Sequence, residues 1–165
     1  MKCFYRQTAF DRPTDIYIQN NTNKDLELFN VDLQSGELES RPPQVIKAGE
    51  KGYFRSDQTG LVGPSGFVTY KALIGDMKIY MSIYWSHPEG ATSSVYYGYS
   101  SPFGAFYITP MNNLDKNQKP TTTQVKIKDL ITHEESMQNV LVLNPTGHYE
   151  SITYIVQYGL GHLVI

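Results

Sequence analysis

The sequence predicts an all-β chain folded as a single antiparallel β-sandwich. Three observations point there. Thirteen glycines and nine prolines are spread through 165 residues, and they punctuate the chain at short, regular intervals. Between them, apolar and polar residues alternate with a period of two, the pattern of a strand with one buried face. No segment sustains a helical period or a heptad. About eight to eleven short strands are expected, arranged as a sandwich or barrel.

The elements follow in order. Residues 1–14 read as an irregular lead-in. Asp15 to Gln19 alternates, with Ile16 and Ile18 on one face, and Asn20-Asn21-Thr22-Asn23 supplies turn chemistry. Leu26 to Leu33 is the next strand, with Leu26, Leu28, Val31 and Leu33 expected inside. Gln34-Ser35-Gly36 turns the chain, and Arg41-Pro42-Pro43 is extended because proline removes a donor and restrains its predecessor. Gly52 to Ser56 is a short strand. Phe67 to Leu73 and Lys78 to Trp85 form a hairpin around Gly75-Asp76. In the return strand Ile79, Met81, Ile83 and Trp85 share one face, and Tyr80, Ser82 and Tyr84 share the other. Val95 to Tyr99 and Ala105 to Ile108 are further strands, joined through Ser100 to Gly104. Residues 111–120 read as loop. Thr121 to Ile131 and Met137 to Leu143 read as strands around a turn at Thr132 to Ser136. Asn144-Pro145-Thr146-Gly147 turns the chain into Ser151 to Tyr158, where Ile152, Tyr154 and Val156 alternate with Thr153, Ile155 and Gln157. Leu160 to Ile165 closes the chain.

Composition removes several functional classes. Net charge is −2, and charged residues are 18% of the chain, with no Lys/Arg cluster to bind nucleic acid or a strongly anionic membrane. The single cysteine, Cys3, allows no internal disulfide. His87, His133, His148 and His162 fall in no metal-ligand spacing, so no metal or other cofactor is expected. His133-Glu134-Glu135 reads as a solvated turn. No G-x-S-x-G elbow, phosphate loop or dinucleotide fingerprint occurs, and no enzymatic activity is expected. Asp32, Asp57, Asp76 and Glu89 are the carboxylates that could pair in space. The N-terminus has no apolar run of signal-peptide type and no apolar segment is long enough to span a bilayer, so the chain is expected to be cytoplasmic as made and to act outside the cell after release.

What the composition does supply is aromatic. Aromatics make up 13% of the chain, and the stretch from Gly60 to Tyr99 holds the only tryptophan and six of the thirteen tyrosines. Tyr84, Trp85, His87, Glu89, Tyr96, Tyr97 and Tyr99 are the candidate binding residues. Tyrosine and tryptophan combine an apolar body with a polar tip and settle at headgroup level in bilayers. Their faces would attract a choline or ethanolamine group, with Glu89 as a counter-charge. Trp85 falls in register with Ile79, Met81 and Ile83, which favours burial. Tyr84 lies on the mixed face and is the better surface candidate. Of Tyr96, Tyr97 and Tyr99, at least one ring must point outward. Aromatic edges also stack on sugars, so a lectin-like sandwich is the alternative.

A family resemblance rests on the order of several segments. These are Asp15-Ile-Tyr-Ile-Gln-Asn-Asn-Thr22, Leu26-Glu-Leu28, Pro43-Gln-Val45, Phe54-Arg-Ser56, Gly60 to Gly63, Gly66-Phe-Val-Thr-Tyr70, Ile83-Tyr-Trp-Ser-His-Pro88, Gly90, Tyr97-Gly98 and Ser151-Ile-Thr-Tyr-Ile-Val-Gln157. The sequence resembles the aegerolysin family, and most its bacterial branch that includes the small component of binary insecticidal toxins. The actinoporin-like haemolysins share the sandwich. The resemblance covers about residues 15–100 and 149–158. Residues 101–147 exceed what a short family member places there, and are expected to form an added hairpin near 121–143. The resemblance implies a β-sandwich that recognises a membrane lipid or receptor and works with a larger pore-forming partner protein, with homo-oligomerisation possible. Residues 1–14 lack the amphipathic helix that actinoporin-like pores use, which argues for a recognition component over a self-sufficient pore.

Overall fold

A computed structural model describes residues 12–60, 62–89 and 93–159. The expected lead-in up to residue 11 and the closing Leu160 to Ile165 lie outside the described residues, as does Gly90. Twelve strands are present among the described residues: β1 (Thr14–Asn20), β2 (Leu26–Ser35), β3 (Glu37–Ser40), β4 (Val45–Ile46), β5 (Lys51–Asp57), β6 (Ser65–Ile74), β7 (Met77–Ser86), β8 (Val95–Ser101), β9 (Phe106–Asn112), β10 (Thr121–Lys128), β11 (Glu135–Val142) and β12 (Glu150–Tyr158). They form two five-stranded sheets, in the orders β3-β5-β1-β12-β9 and β4-β2-β6-β7-β8, and a separate two-stranded sheet, β10-β11. No described helix is long and apolar enough to cross a membrane.

The two large sheets face each other across one core. Ile16 and Ile18 of β1, Phe54 of β5, and Ile152, Tyr154 and Val156 of β12 come from one sheet. Val68 and Tyr70 of β6, Ile79, Met81, Ile83 and Trp85 of β7, and Tyr96 of β8 come from the other. Period-two alternation predicts these faces because successive strand residues point to opposite sides. The β6–β7 hairpin pairs without slippage from Ser65↔Ser86 to Ile74↔Met77. Its turn is tight because Gly75 has φ +62, in the left-handed region that only glycine enters freely.

The structure departs from the sequence reading in three places. The sandwich is antiparallel with one exception: β1 and β12, the first and last strands, pair in parallel from Thr14↔Glu150 to Asn20↔Val156. A parallel pair needs a long connection, and here most of the chain intervenes. Alternation is the same in both directions, so it does not encode this. In β2, pairing with β6 shifts between Leu28 and Asn30 and between Leu33 and Ser35. A bulge adds a residue to one strand. Phe29 is the extra residue of the first and emerges on the outer face, while Leu33, expected inside, is 38% exposed at the sheet's rim. Finally, β3 has the sequence ELES, which carries no apolar alternation to announce a strand.

Candidate functional site

The seven candidate residues do not form one exposed surface. Trp85 is fully buried. Its indole Nε1 donates to Ser56 Oγ at 3.0 Å, and its ring meets Phe54 edge-on at 5.5 Å between centroids. Gly66 lies directly opposite, and a Cβ there would sit 3.1 Å from the indole and 2.7 Å from the Asp32 carbonyl oxygen. The indole therefore uses the space that a side chain at position 66 would take.

His87 and Tyr96 are also interior. His87 Nε2 is 2.8 Å from the Gly147 carbonyl oxygen, which can only accept, so Nε2 carries a proton. In the neutral ring Nδ1 then accepts from Thr14 Oγ1, 2.8 Å away. Tyr96 Oη donates to Glu150 Oε1 at 2.5 Å, and Glu150 Oε2 accepts from the Gly147 amide at 2.9 Å. Burial lowers the His87 pKa, partly opposed by the nearby Glu150 carboxylate. Burial and Glu150 both raise Tyr96 well above the usual tyrosine value. This network fastens the loop between β11 and β12 to the body. Glu89 is half-buried, with Oε1 3.8 Å from Arg12 Nε. The sequence reading set His87 and Glu89 among the surface candidates, but the loop at Gly147 closes over His87 and buries it.

Tyr84, Tyr97 and Tyr99 lie on the outer face of the second sheet. There Phe67, Tyr84 and Tyr97 form a cross-strand ladder, with ring centroids 4.8 and 5.1 Å apart. The β10-β11 sheet covers one end of it. Ile127, Val140 and Val142 pack with Tyr97 and Tyr99 in a second small core, flanked by Phe67, Tyr84, Val95 and Val125. Tyr84 is half-buried, and Tyr97 and Tyr99 are 9% and 6% exposed. The rings point outward, as adjacency required, but the hairpin covers them. Burial pushes the Tyr97 pKa up to about 12 and raises that of Tyr99. Both remain protonated at neutral pH, and Tyr99 Oη donates to the Lys128 carbonyl at 2.9 Å.

Where hairpin and sheet diverge, a cleft of about 310 Å³ opens. Phe29, Phe67, Thr69 and Tyr99 are on the sheet side, and Lys126, Lys128, Leu130 and Glu135 on the hairpin side, with Asp32 at the border. Lys126 and Glu135 pair at 3.6 Å with both side chains more than half exposed. The cleft thus has aromatic faces and both signs of charge within reach. The sequence reading passed over Phe29 and the charges of β10. The charges of β10 were signalled only by the alternation in Val125-Lys126-Ile127-Lys128, and nothing in the sequence signals the bulge that turns Phe29 outward.

Beside the cleft, three turns converge at one end of the sandwich. They are the β6–β7 turn, the start of the β8–β9 connection and the β10–β11 turn, where Leu130 N donates to Ser101 Oγ at 3.0 Å. An open depression of about 680 Å³ joins them, lined by Met77, Lys78, Tyr80, Pro102, Leu130 and Ile131 among others. Of its lining residues Met77 is 44% and Ile131 46% exposed; Leu73, 57% exposed, lies just before the β6–β7 turn, and Phe103, 41% exposed, follows Pro102. Among the described residues no cluster of three or more His, Cys, Asp or Glu could hold a metal ion.

Comparison by sequence finds no matching protein-family profile and no matching curated protein. Comparison by structure finds a likeness to the lipid binding protein Nakanori. The TM-score is 0.55 at 12% identity, over 88% of this chain and 70% of that one. At that identity the likeness is one of fold.

Proposed function

We propose that this chain recognises lipid membranes, docking by the end of the sandwich where the three turns meet. The observation that carries the reading is the exposure of Met77 and Ile131 in the depression where the three turns meet, with Leu73 exposed just before the β6–β7 turn. Each such side chain costs free energy in water that burial in a bilayer interface returns, roughly 1.5–3 kcal/mol when fully buried. Lys71, Lys78 and Lys128 alternate there with Glu27, Asp76 and Asp129, a mixed rim suited to zwitterionic headgroups rather than to a strongly anionic surface. The adjacent cleft offers aromatic faces and carboxylates to an ammonium group and lysines to a phosphate. The likeness in fold to a lipid binding protein supports the reading. In its finer form, the chain is the recognition component of a two-component, insecticidal type of pore-forming toxin and recruits a larger partner protein, as the aegerolysin resemblance implies.

Vesicle flotation across phosphatidylcholine, phosphatidylethanolamine, sphingomyelin and phosphatidylserine tests the reading. Flotation with a zwitterionic lipid is expected. Glycan binding without any flotation would select the lectin-like alternative instead. Strong lysis of target cells by the purified chain alone would contradict the recruiting form.

A further inference from the structure

The pole opposite the three turns holds a pocket of its own. β9 runs from Phe106, next to the β8–β9 connection, to Asn112. β12 runs beside it in the opposite sense, with Tyr158↔Phe106 at one end and Ile152↔Asn112 at the other. The seven residues of β9 rise about 3.3 Å each, so Asn112 lies roughly 20 Å from the end assigned to membrane docking. There the segment after β9, the segment before β12 and the first residue of β12 border a pocket of about 260 Å³. Asn112, Asp115 and Gln118 come from β9 and the segment after it, and Thr146, Tyr149 and Glu150 from the approach to β12 and its start.

The polar groups of this pocket are fixed and keep hydrogen-bonding capacity. Asn112 and Glu150 are 7% and 2% exposed, so both are held within the walls. Asn112 Nδ2 donates to Gln118 Oε1 at 2.8 Å, and Asn112 Oδ1 accepts from the Leu114 amide at 3.0 Å. Gln118 Nε2 donates to the Asn144 carbonyl at 3.3 Å. A primary amide has two donors and two acceptor lone pairs, so each of these side chains keeps one of each. Glu150 accepts one hydrogen bond on each oxygen, from Tyr96 Oη and the Gly147 amide, and Asp115 Oδ1 accepts from the Asn117 amide. A carboxylate has about four acceptor sites, so both carboxylates keep some. The Tyr149 ring is 39% exposed. Its hydroxyl donates to Asp15, and the Arg55 guanidinium lies over one face, 5.9 Å from the centroid, which fixes the ring and leaves the other face to a ligand.

We propose that this pocket is a second recognition site and that its ligand is a neutral pyranose, a sugar unit with free adjacent hydroxyls. A sugar hydroxyl both donates and accepts, and amides beside carboxylates answer both roles. The C–H face of a pyranose ring is apolar and packs on an aromatic face, here that of Tyr149. An apolar wall with a few placed polar groups is the usual make-up of a small-ligand pocket. Side chains already held by hydrogen bonds lose little freedom when the ligand arrives. The lining residues include two carboxylates and no lysine or arginine, which works against sialic and uronic acids. The site stands independently of the lipid-binding reading. In a chain docked by the opposite pole it faces away from the bilayer and stays open to a sugar.

The test titrates the full chain with the methyl glycosides of glucose, galactose, mannose, N-acetylglucosamine and N-acetylgalactosamine, and with N-acetylneuraminic acid, following amide resonances by NMR. A neutral glycoside is expected to shift the side-chain amides of Asn112 and Gln118 and the backbone amide of Gly147, and the acid to leave them in place. Tyr149→Ala and Gln118→Ala are each expected to weaken that glycoside at least about tenfold. Lys126→Ala, in the cleft under the hairpin, is expected to change nothing. Tyr149 is exposed and Gln118 half-buried, and unfolding midpoints report whether the variants fold; the shifts in the native chain decide the matter without them. No shift with any glycoside overturns the inference, as do shifts confined to the cleft at Phe29 and Lys128. Unchanged affinity in either folded variant overturns it too, and so does stronger binding of the acid than of every neutral glycoside. Sugar binding at this pocket without vesicle flotation removes the lipid-binding reading and leaves this site, and flotation without sugar binding does the reverse.

Discussion

The indole of Trp85 shows what alternation in a sequence can and cannot specify. Its register with Ile79, Met81 and Ile83 placed it in the core, and it is there, over Gly66 and hydrogen-bonded to Ser56. Truncating it leaves a cavity and an orphaned Ser56 partner, so Trp85→Ala is expected to lower stability by about 3–5 kcal/mol, read from urea unfolding. His87 was not legible in the same way, because what buries it is Gly147, sixty residues away in sequence. Its lowered pKa has a consequence for pH. The unfolded chain takes up a proton near pH 6.5, while the folded chain resists it to lower pH. Between those values the unfolded state holds more protons, so stability rises with pH. It is fully present above about 6.5 and lost as pH falls through the depressed folded value. Glu150 opposes the shift, whereas Arg12 and His148 add to it. The expected outcome is a midpoint that drops between pH 7 and pH 5, and a weaker slope in His87→Gln, measured by denaturant titration at each pH.

Strands of the sandwich were readable wherever one face is buried and the other is not. β6 and β7 carry that pattern, and β12 alternates in sequence although Ser151 and Thr153 on its other face are also buried; the boundaries of all three match the reading to within two residues. β3 was not readable, since a polar edge strand gains its place by pairing with β5 rather than by burying a row of its own. The β10-β11 hairpin was expected as an element, but sequence gave no indication that it lies across the tyrosines of β8 and covers the very rings proposed as a surface. As a separate two-stranded sheet it buries little, and local opening should cost less there than in the main core. Hydrogen exchange is expected to be faster across residues 121–142 than across β1, β7 and β12. Tyr99→Phe removes the bond to the Lys128 carbonyl, worth about 1 kcal/mol, and should raise exchange in the hairpin several-fold with little change in β7. Equal protection in hairpin and core would show that the hairpin opens only when the whole molecule unfolds.

For the molecule as a whole, two sheets and a lateral hairpin leave one end different from the rest. The apolar residues at that end flank or belong to the β6–β7 and β10–β11 turns. Met77 and Ile131 are far apart in sequence, and only the fold brings them into one depression. Docking is therefore assigned to turns at one pole, while the aromatic row of β7 and β8 is held under the hairpin. The most direct test of that reading is flotation of the folded protein with phosphatidylcholine vesicles, comparing the native chain with Leu73→Glu/Met77→Glu/Ile131→Glu. All three positions are exposed, so the substitutions should leave unfolding midpoints nearly unchanged. The native chain is expected to float and the triple variant to remain in the soluble fraction, a loss of at least about tenfold in partitioning. Equal flotation of the two proteins would contradict docking by this end, and failure of the native chain to float with any headgroup would contradict lipid recognition itself.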